Sequence, residues 1–512
     1  MVEKVDSYLV VEDLVTRFFT SRGIVKAIDS VSFSIKKGEI FGLVGESGCG
    51  KSVTALSVMD LVPDPPGRIV GGKIYIDGFN ILGDLNKLAS IRVKNETNVK
   101  IKRNKRYIKR HNAMLSRIRG KKAGMIFQEP SLALNPVLSV ADQITENILL
   151  HNRTAIADSL LRRANLKTDD IDKLIQGALR EKDNVKGFLN RWCRTNALPE
   201  IEGALNQIFS NYYDINQIKD EVIKLIRGQQ EYIDLAKLSR SRDFFKLQDD
   251  ILDAQLRLIS AEESNDEEKK RSIEAELRSL KAAYGTKYLS FRIQRFFLKK
   301  RMDRVFIDES LRRAKEMLTL VNLSDPDRIL KSYPHELSGG MQQRVMIAIA
   351  LASNPRLLIA DEPTTALDVT TQAQILDLIR SLNEVLGMSV LFITHDLAVI
   401  AEMCQRVAVM YAGNIVEEAQ VNEIYSNPKH PYTAGLLAAI PKPNIDQSGN
   451  KKLDTIPGSV PNLIKPPSGC RFHPRCKFKM DICEVKKPKL VDVGDGHKVA
   501  CFLFSSETVE AA

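Results

Sequence analysis

Short, unbroken apolar runs are the most regular pattern along this chain, and each ends beside a chemically distinctive residue. IFGLV (40–44), LLIA (357–360) and MSVLFIT (388–394) are too brief for helices and show no polar face. Each predicts a strand buried on both sides, as in a parallel sheet. AGMIFQEP (123–130) predicts a fourth strand, and GGKIYIDG marks another strand region upstream of it. Elsewhere the rhythm changes. Leu247, Ile251, Ala254 and Leu258 recur in a 4-3-4 pattern, and so do Ile273, Leu277, Leu280 and Tyr284, with polar ESNDEE (263–268) between them. That predicts an antiparallel helical hairpin, too short for a self-sufficient coiled coil and so leaning on other helices. Near the C-terminus, Pro457, Pro461, Pro466 and Pro467 predict an irregular segment rather than a regular domain.

At 512 residues and 44% hydrophobic, the chain can hold several domains with their own cores. No run approaches the roughly 18–20 apolar residues of a membrane helix. The opening VEKVDSYLVVEDL is charged and alternating, unlike a signal peptide. The expectation is a soluble, cytoplasmic chain whose membrane role, if any, comes through a partner. The net charge is +11, and residues 91–122 hold thirteen Lys and Arg against one acid, Glu96. Three readings fit that run: a solvated helix or loop, attraction to anionic lipid head groups at about 1 kcal/mol per basic residue, or contact with an acidic partner or nucleic acid. The seven cysteines, in a cytoplasmic chain, argue against a disulfide framework.

The apolar runs deliver the chemistry. After IFGLV comes GESGCGKS (45–52), a phosphate-binding loop. Gly45, Gly48 and Gly50 let the turn wrap phosphates, Lys51 neutralises the β- and γ-phosphates, Ser52 ligates Mg²⁺, and a helix N-terminus begins there. After LLIA come Asp361, placed to hold Mg²⁺ through its water shell, and Glu362, placed to polarise an attacking water. The pair could instead cap the helix that Pro363 begins. MSVLFIT delivers His395 to a strand's C-terminal end, where open α/β sheets keep their ligands. AGMIF delivers Gln128, whose side chain can reach the Mg²⁺ and the water. TALD (365–368) and LSGGMQQ (337–343) complete the set.

In this arrangement the chain resembles the nucleotide-binding subunits of ATP-binding-cassette (ABC) transporters over residues 8–90, 123–150 and 306–420. The resemblance implies an α/β P-loop fold with a RecA-like core, an antiparallel β subdomain and a helical subdomain. It implies that Phe18 (or its neighbour Phe19) stacks on adenine and that Gly45, Glu46, Ser47, Gly48, Cys49, Gly50, Lys51, Ser52 and Val53 hold the phosphates. Ser338, Gly339, Gly340 and Gln342, with Asp368, would close over the ATP of an opposing subunit. Catalysis would fall to Glu362 as general base, His395 at the γ-phosphate and Gln128 as sensor, with Ser52, Gln128 and Asp361 at Mg²⁺.

The wording between motifs narrows the family. FQEPSLALNPVLSVADQI (127–144), ADEPTTALDVTTQAQIL (360–376) and NPKHPYTAGLLAAIP (427–441), then IPGSVPNLIKPPSGCRFHPRC (456–476), resemble D-type ATPases of the oligopeptide/dipeptide permeases. That implies a peripheral protein at the cytoplasmic face of the membrane. Its partners would be a second ATPase, by default a different chain, two transmembrane permeases and an extracellular solute-binding protein. Peptides are the expected solute and oligosaccharides the alternative. A soluble DNA-linked ATPase of the SMC type is a remote third reading, so no nucleic acid is expected. Cys470, Cys476, Cys483 and Cys501 are spaced unlike zinc ribbons or bacterial ferredoxins. The resemblance implies an iron–sulfur cluster of the [4Fe–4S] type there, with zinc or four free thiols as alternatives. The expected layout is a core first part (1–90), a basic insertion (91–122), the glutamine segment (123–150), a helical insertion (151–305), the second core part (306–420) and an irregular C-terminal extension (421–512).

Overall fold

The computed structural model describes residues 6–83, 85–95, 98–181, 184–196, 198, 201–211, 214–230, 235–263, 266–440 and 456–504. The chain divides into two compact units, Met1–Val140 with Met317–Ala512, and Ala141–Glu316.

The first unit is built on one eight-stranded sheet. Five parallel strands lie in the order Ala123–Ile126, Leu357–Asp361, Ser389–Thr394, Ile40–Val44 and Arg406–Tyr411. Every residue of the four strands from Ala123–Ile126 to Ile40–Val44 is buried, which is why their sequences are continuously apolar rather than alternating. Asn414–Gln420 then turns back antiparallel, followed by two short strands from the C-terminal segment, Lys498–Val499 and Val491–Asp492. The extension expected to be irregular thus joins the core sheet at its edge.

A second sheet is antiparallel and pairs Gly23–Lys36, Ser7–Thr20, Gly67–Ile76 and Phe79–Asn80 in that order. The basic stretch forms a hairpin followed by a helix. Ala89–Asn95 and Asn98–Arg103 form a hairpin, and Lys105–Ile118 is a helix capped by the Asn104 side chain, which accepts from Tyr107 N–H at 3.3 Å. Met114, Leu115 and Ile118 bury one face of that helix. Several of its basic groups are spoken for. His111 Nε2 lies 2.9 Å from Asp60 Oδ2, Arg119 Nε donates to Met59 O at 2.8 Å, and Arg103 pairs with Asp64. Lys105, Arg106 and Lys109 stay exposed.

The second unit is helical. Thr168–Arg180, Val185–Thr195, Glu202–Asn211 and Ile215–Gln230 close around a core of Leu174, Leu189, Leu205 and Val222, each 0% exposed. Leu235–Glu263 and Glu267–Leu320 form the hairpin read from the 4-3-4 rhythm. Their antiparallel run is fixed by Arg257 to Glu276 (2.6 Å), Gln248 to the Tyr284 hydroxyl (3.3 Å) and a Phe244–Tyr284 ring stack (5.3 Å). Among the described residues no helix is long and apolar enough to cross a membrane.

Candidate functional site

The chemistry gathers at the C-terminal ends of four adjacent parallel strands. Ile40–Val44 runs directly into the glycine-rich loop, and the helix Lys51–Val58 follows. The loop is pressed against the neighbouring strand: a Cβ on Gly45 would sit 2.2 Å from the Met410 carbonyl oxygen. Gly50 is left-handed at φ 108°, and a Cβ there would meet Ala27 O at 2.7 Å, so both positions demand glycine. Lys51 is buried, and its ammonium donates to Gly45 O (2.8 Å) and Glu46 O (3.2 Å). Ser47 and Gly48 are exposed, Val53 is half-buried on the helix, and the Cys49 thiol is buried and pushed up by that burial.

Ser52 Oγ donates to Asp361 Oδ1 at 3.1 Å. Asp361 is 4% exposed. Its carboxyl is raised to about 6, by burial first and by the charge of Glu362, against opposing effects of the Ser52 hydrogen bond and Lys51. A buried carboxylate beside a hydroxyl is a hard-oxygen donor pair, the chemistry that magnesium takes.

Glu362 is the focus of three other side chains. Gln128 Nε2 donates to its Oε2 at 3.1 Å, Thr365 Oγ1 donates to the same oxygen at 3.0 Å, and His395 Nδ1 stands 3.4 Å away. Its backbone is left-handed at φ 46°, with the N–H held by Ile393 O at 2.9 Å. A non-glycine residue in that region is strained, and such strain persists where surroundings over-determine it.

LSGGMQQ begins the helix Gly339–Leu351, capped by Ser338, whose Oγ accepts from Met341 N–H at 3.4 Å. Gln342 Nε2 donates to Pro334 O (2.8 Å) and Leu337 O (3.2 Å), stiffening the approach. Asp368 caps the helix Val369–Leu386 by accepting from Thr371 N–H at 2.9 Å. A Cβ on Gly340 would lie 2.7 Å from Thr371 Cγ2, so these two caps sit side by side. Phe18 is half-buried on the antiparallel sheet with its ring over Gly67, and Phe19 is equally half-buried.

The ABC transporter family model matches residues 28–252 and 254–365, and the model for the oligopeptide/dipeptide transporter C-terminal region matches residues 416–483. A probable peptide ABC transporter ATP-binding protein of Sinorhizobium fredii is 32% identical over 499 residues, covering 98% of this chain and 96% of the relative. The oligopeptide transport ATP-binding protein AppD of Bacillus subtilis is 32% identical over 502 residues, covering 98% of each. The chain belongs to the oligopeptide/dipeptide ABC transporter ATP-binding proteins. It is an ATPase. Among solved structures, a dimeric bacterial ABC transporter cassette is similar at 18% identity, covering 81% of this chain and 98% of that chain with a TM-score of 0.40.

In this ABC ATPase, Cys470, Cys476, Cys483 and Cys501 line one cavity of about 10 Å³ with Phe472, Phe478 and Phe502. All four are free thiols. Among the described residues no group of three or more His, Cys, Asp or Glu side chains is arranged to hold a metal ion. The four cysteines expected at a metal centre thus line one small cavity, but among the described residues their side chains form no ligating group, and the expected iron–sulfur cluster is not supported.

Sequence reasoning missed two arginines of the C-terminal segment. Arg471 reaches Asp29 (Nη2 to Oδ2, 2.9 Å) and the Ala412 carbonyl, and Arg475 reaches Glu46 inside the phosphate loop (Nη1 to Oε2, 2.8 Å). The available signal was two arginines four residues apart in a proline-broken stretch with little else to anchor it.

Proposed function

We propose that this ATPase powers the import of peptides, working at the cytoplasmic face of the membrane. Its partners would be a second, different ATPase chain, two permeases and an extracellular solute-binding protein. The family's C-terminal region, together with near full-length similarity to a protein named for oligopeptide transport, supports the solute class.

The convergence of Gln128, Thr365 and His395 on the Glu362 carboxylate carries the catalytic reading. Gly45 to Val53 cradle the phosphates, with Phe18 or Phe19 against the adenine. Water attacks the γ-phosphorus in line, and its proton passes to Glu362. The bond to the β–γ bridging oxygen breaks, and His395 and Lys51 stabilise the charge on the phosphoryl oxygens. Ser52 and Asp361, with Gln128, would hold Mg²⁺, which when bound offsets phosphate charge. Ser338, Gly339, Gly340, Gln342 and Asp368 act on the ATP of the opposing subunit, so turnover rises on assembly. In the assembled transporter, Glu362→Gln retains ATP binding and loses about a hundredfold or more in turnover, the size of a lost general base. Near-normal hydrolysis by that variant refutes the assignment.

An iron–sulfur cluster as a structural element of the C-terminal segment rests only on four cysteines lining one cavity, whose side chains form no ligating group among the described residues. Anaerobically purified protein then carries iron and sulfide in similar amounts and loses both on Cys476→Ser. One equivalent of zinc, or no metal, overturns the cluster.

A further inference from the structure

The C-terminal segment touches the phosphate loop from behind, at one residue and by two routes. Arg475 Nη1 and Nη2 donate to Glu46 Oε2 (2.8 Å) and Oε1 (3.1 Å). This is the parallel pair of bonds that a planar guanidinium makes with a carboxylate and an ammonium cannot. Arg475 is 8% exposed and its guanidinium is itself fixed, with Nε donating to Pro457 O at 2.8 Å and the group lying 5.7 Å from the Tyr411 ring centre. By the second route, the Glu46 N–H donates to the Tyr432 hydroxyl at 3.0 Å. Tyr432 is 0% exposed, and its ring lies 4.6 Å from Tyr411 and 5.4 Å from Phe472.

Tyr432 is held in turn. Its N–H donates to His430 Nδ1 at 3.0 Å, and the N–H groups of Lys429 and His430 donate to the buried Glu417 carboxylate at 2.6 and 3.0 Å. His497 Nε2 closes the set, 2.7 Å from Glu417. Glu46 therefore has its carboxylate and its N–H committed to the C-terminal segment, while its carbonyl receives Lys51.

We propose that Arg475 and Tyr432 are positioning residues for ATP binding, which hold Glu46 and thereby set Lys51 and the loop in receiving geometry. The inference rests on reading Gly45–Val53 as the phosphate cradle. Attachment of the segment does not by itself need these contacts, because Arg471 and Lys487 also fasten it, through Asp29. A loop with exposed Ser47 and left-handed Gly48 and Gly50 gains from an external restraint, since preorganisation lowers the ordering cost of binding.

The test is a fluorescence titration of the full chain with a trinitrophenyl-ATP at fixed Mg²⁺. Arg475→Ala weakens affinity about tenfold, the scale of one charge-assisted hydrogen bond. Arg475→Lys restores part of it, and Tyr432→Phe, which keeps the ring, weakens it less. Arg471→Ala loosens the segment toward protease and leaves affinity unchanged. Glu46→Gln adds nothing to Arg475→Ala if the two act through one contact. Should Arg475→Ala fail to fold, Glu46→Gln takes its place, with weaker affinity expected and unchanged affinity overturning the proposal. A folded Arg475→Ala with unchanged affinity overturns it as well, and so do equal losses in Arg471→Ala and Arg475→Ala. Lys51→Ala separates the two levels: normal binding by that variant defeats the cradle reading itself, whereas lost binding leaves the Arg475 comparison decisive.

Discussion

Removing the charge of Asp361 should make the protein more stable and leave it unable to work. The carboxylate is 4% exposed, and burial lifts its pKa from 3.8 to about 6. An unfolded aspartate releases its proton near 3.8, so between about pH 4 and pH 6 the folded state binds the proton that the unfolded state has lost. The contribution of this group to stability therefore falls as pH rises through that window, and the cost is fully present above about pH 6. About two pKa units correspond to about 3 kcal/mol. Asp361→Asn cannot ionise but keeps an Oδ1 to accept the Ser52 hydrogen bond. Without nucleotide or magnesium, the variant gains up to about 3 kcal/mol at pH 7.5, several degrees in apparent Tm for a protein of this size. The gain shrinks to about 1 kcal/mol at pH 4.5, where the native carboxyl already carries its proton. Thermal and urea unfolding of both proteins at the two pH values measures this. Adding Mg²⁺ and ATP should stabilise the native protein far more than the variant, because only the native protein binds both well. A variant no more stable than the native chain at pH 7.5, or a gain that does not shrink in acid, refutes the reasoning.

Three further outcomes are expected. Gly45→Ala puts a methyl group 2.2 Å from Met410 O, so the loop must leave its strand, and nucleotide titration should show ATP binding lost. Gly340→Ala meets Thr371 Cγ2 at 2.7 Å and disturbs the Thr371 hydroxyl bond to Asp368 (2.7 Å). It should lower ATPase activity of the assembled transporter while this chain's own ATP affinity stays normal, and normal activity would contradict the pairing of the two caps. Leu174→Ala opens a cavity in the helical unit at a cost of about 2–5 kcal/mol. Proteolysis should then speed up within 141–316 while ATP affinity is retained.

The parallel core was legible because a strand buried on both faces must be apolar at every position, as Ile40–Val44 and Ser389–Thr394 are. The residues that follow those strands were legible for the same reason, since strand ends place them. The hairpin showed through Leu247, Ala254 and Leu258, all buried on one side of a helix. The helices from Thr168 to Gln230 did not, because their core comes from single residues of four short helices that no one local rhythm reveals. The ion pairs of the basic run were not legible because Asp60 and Asp64, the partners of His111 and Arg103, lie well before it in sequence. Glu46 and Arg475 were invisible as a pair on the same ground: local pattern carries no information about a partner contributed by the other end of the chain. The cysteine spacing could not show whether the thiols ligate, because spacing does not set sulfur positions, and the described side chains form no ligating group.

The order of strands in the sheet also dictates a timetable. Ile40–Val44 lies between Ser389–Thr394 and Arg406–Tyr411, so the strand that leads into the phosphate loop emerges early from the ribosome and must wait for both neighbours. Ala141–Glu316 is a compact unit whose residues have all been made before either of those neighbours. Domains fold as units during synthesis, so the helical unit forms first while the sheet that carries the ATPase chemistry is still missing its centre. Throughout that interval the apolar strand Ile40–Val44 is exposed. An apolar strand left unpaired in this way is aggregation-prone, the kind of exposure that chaperones answer.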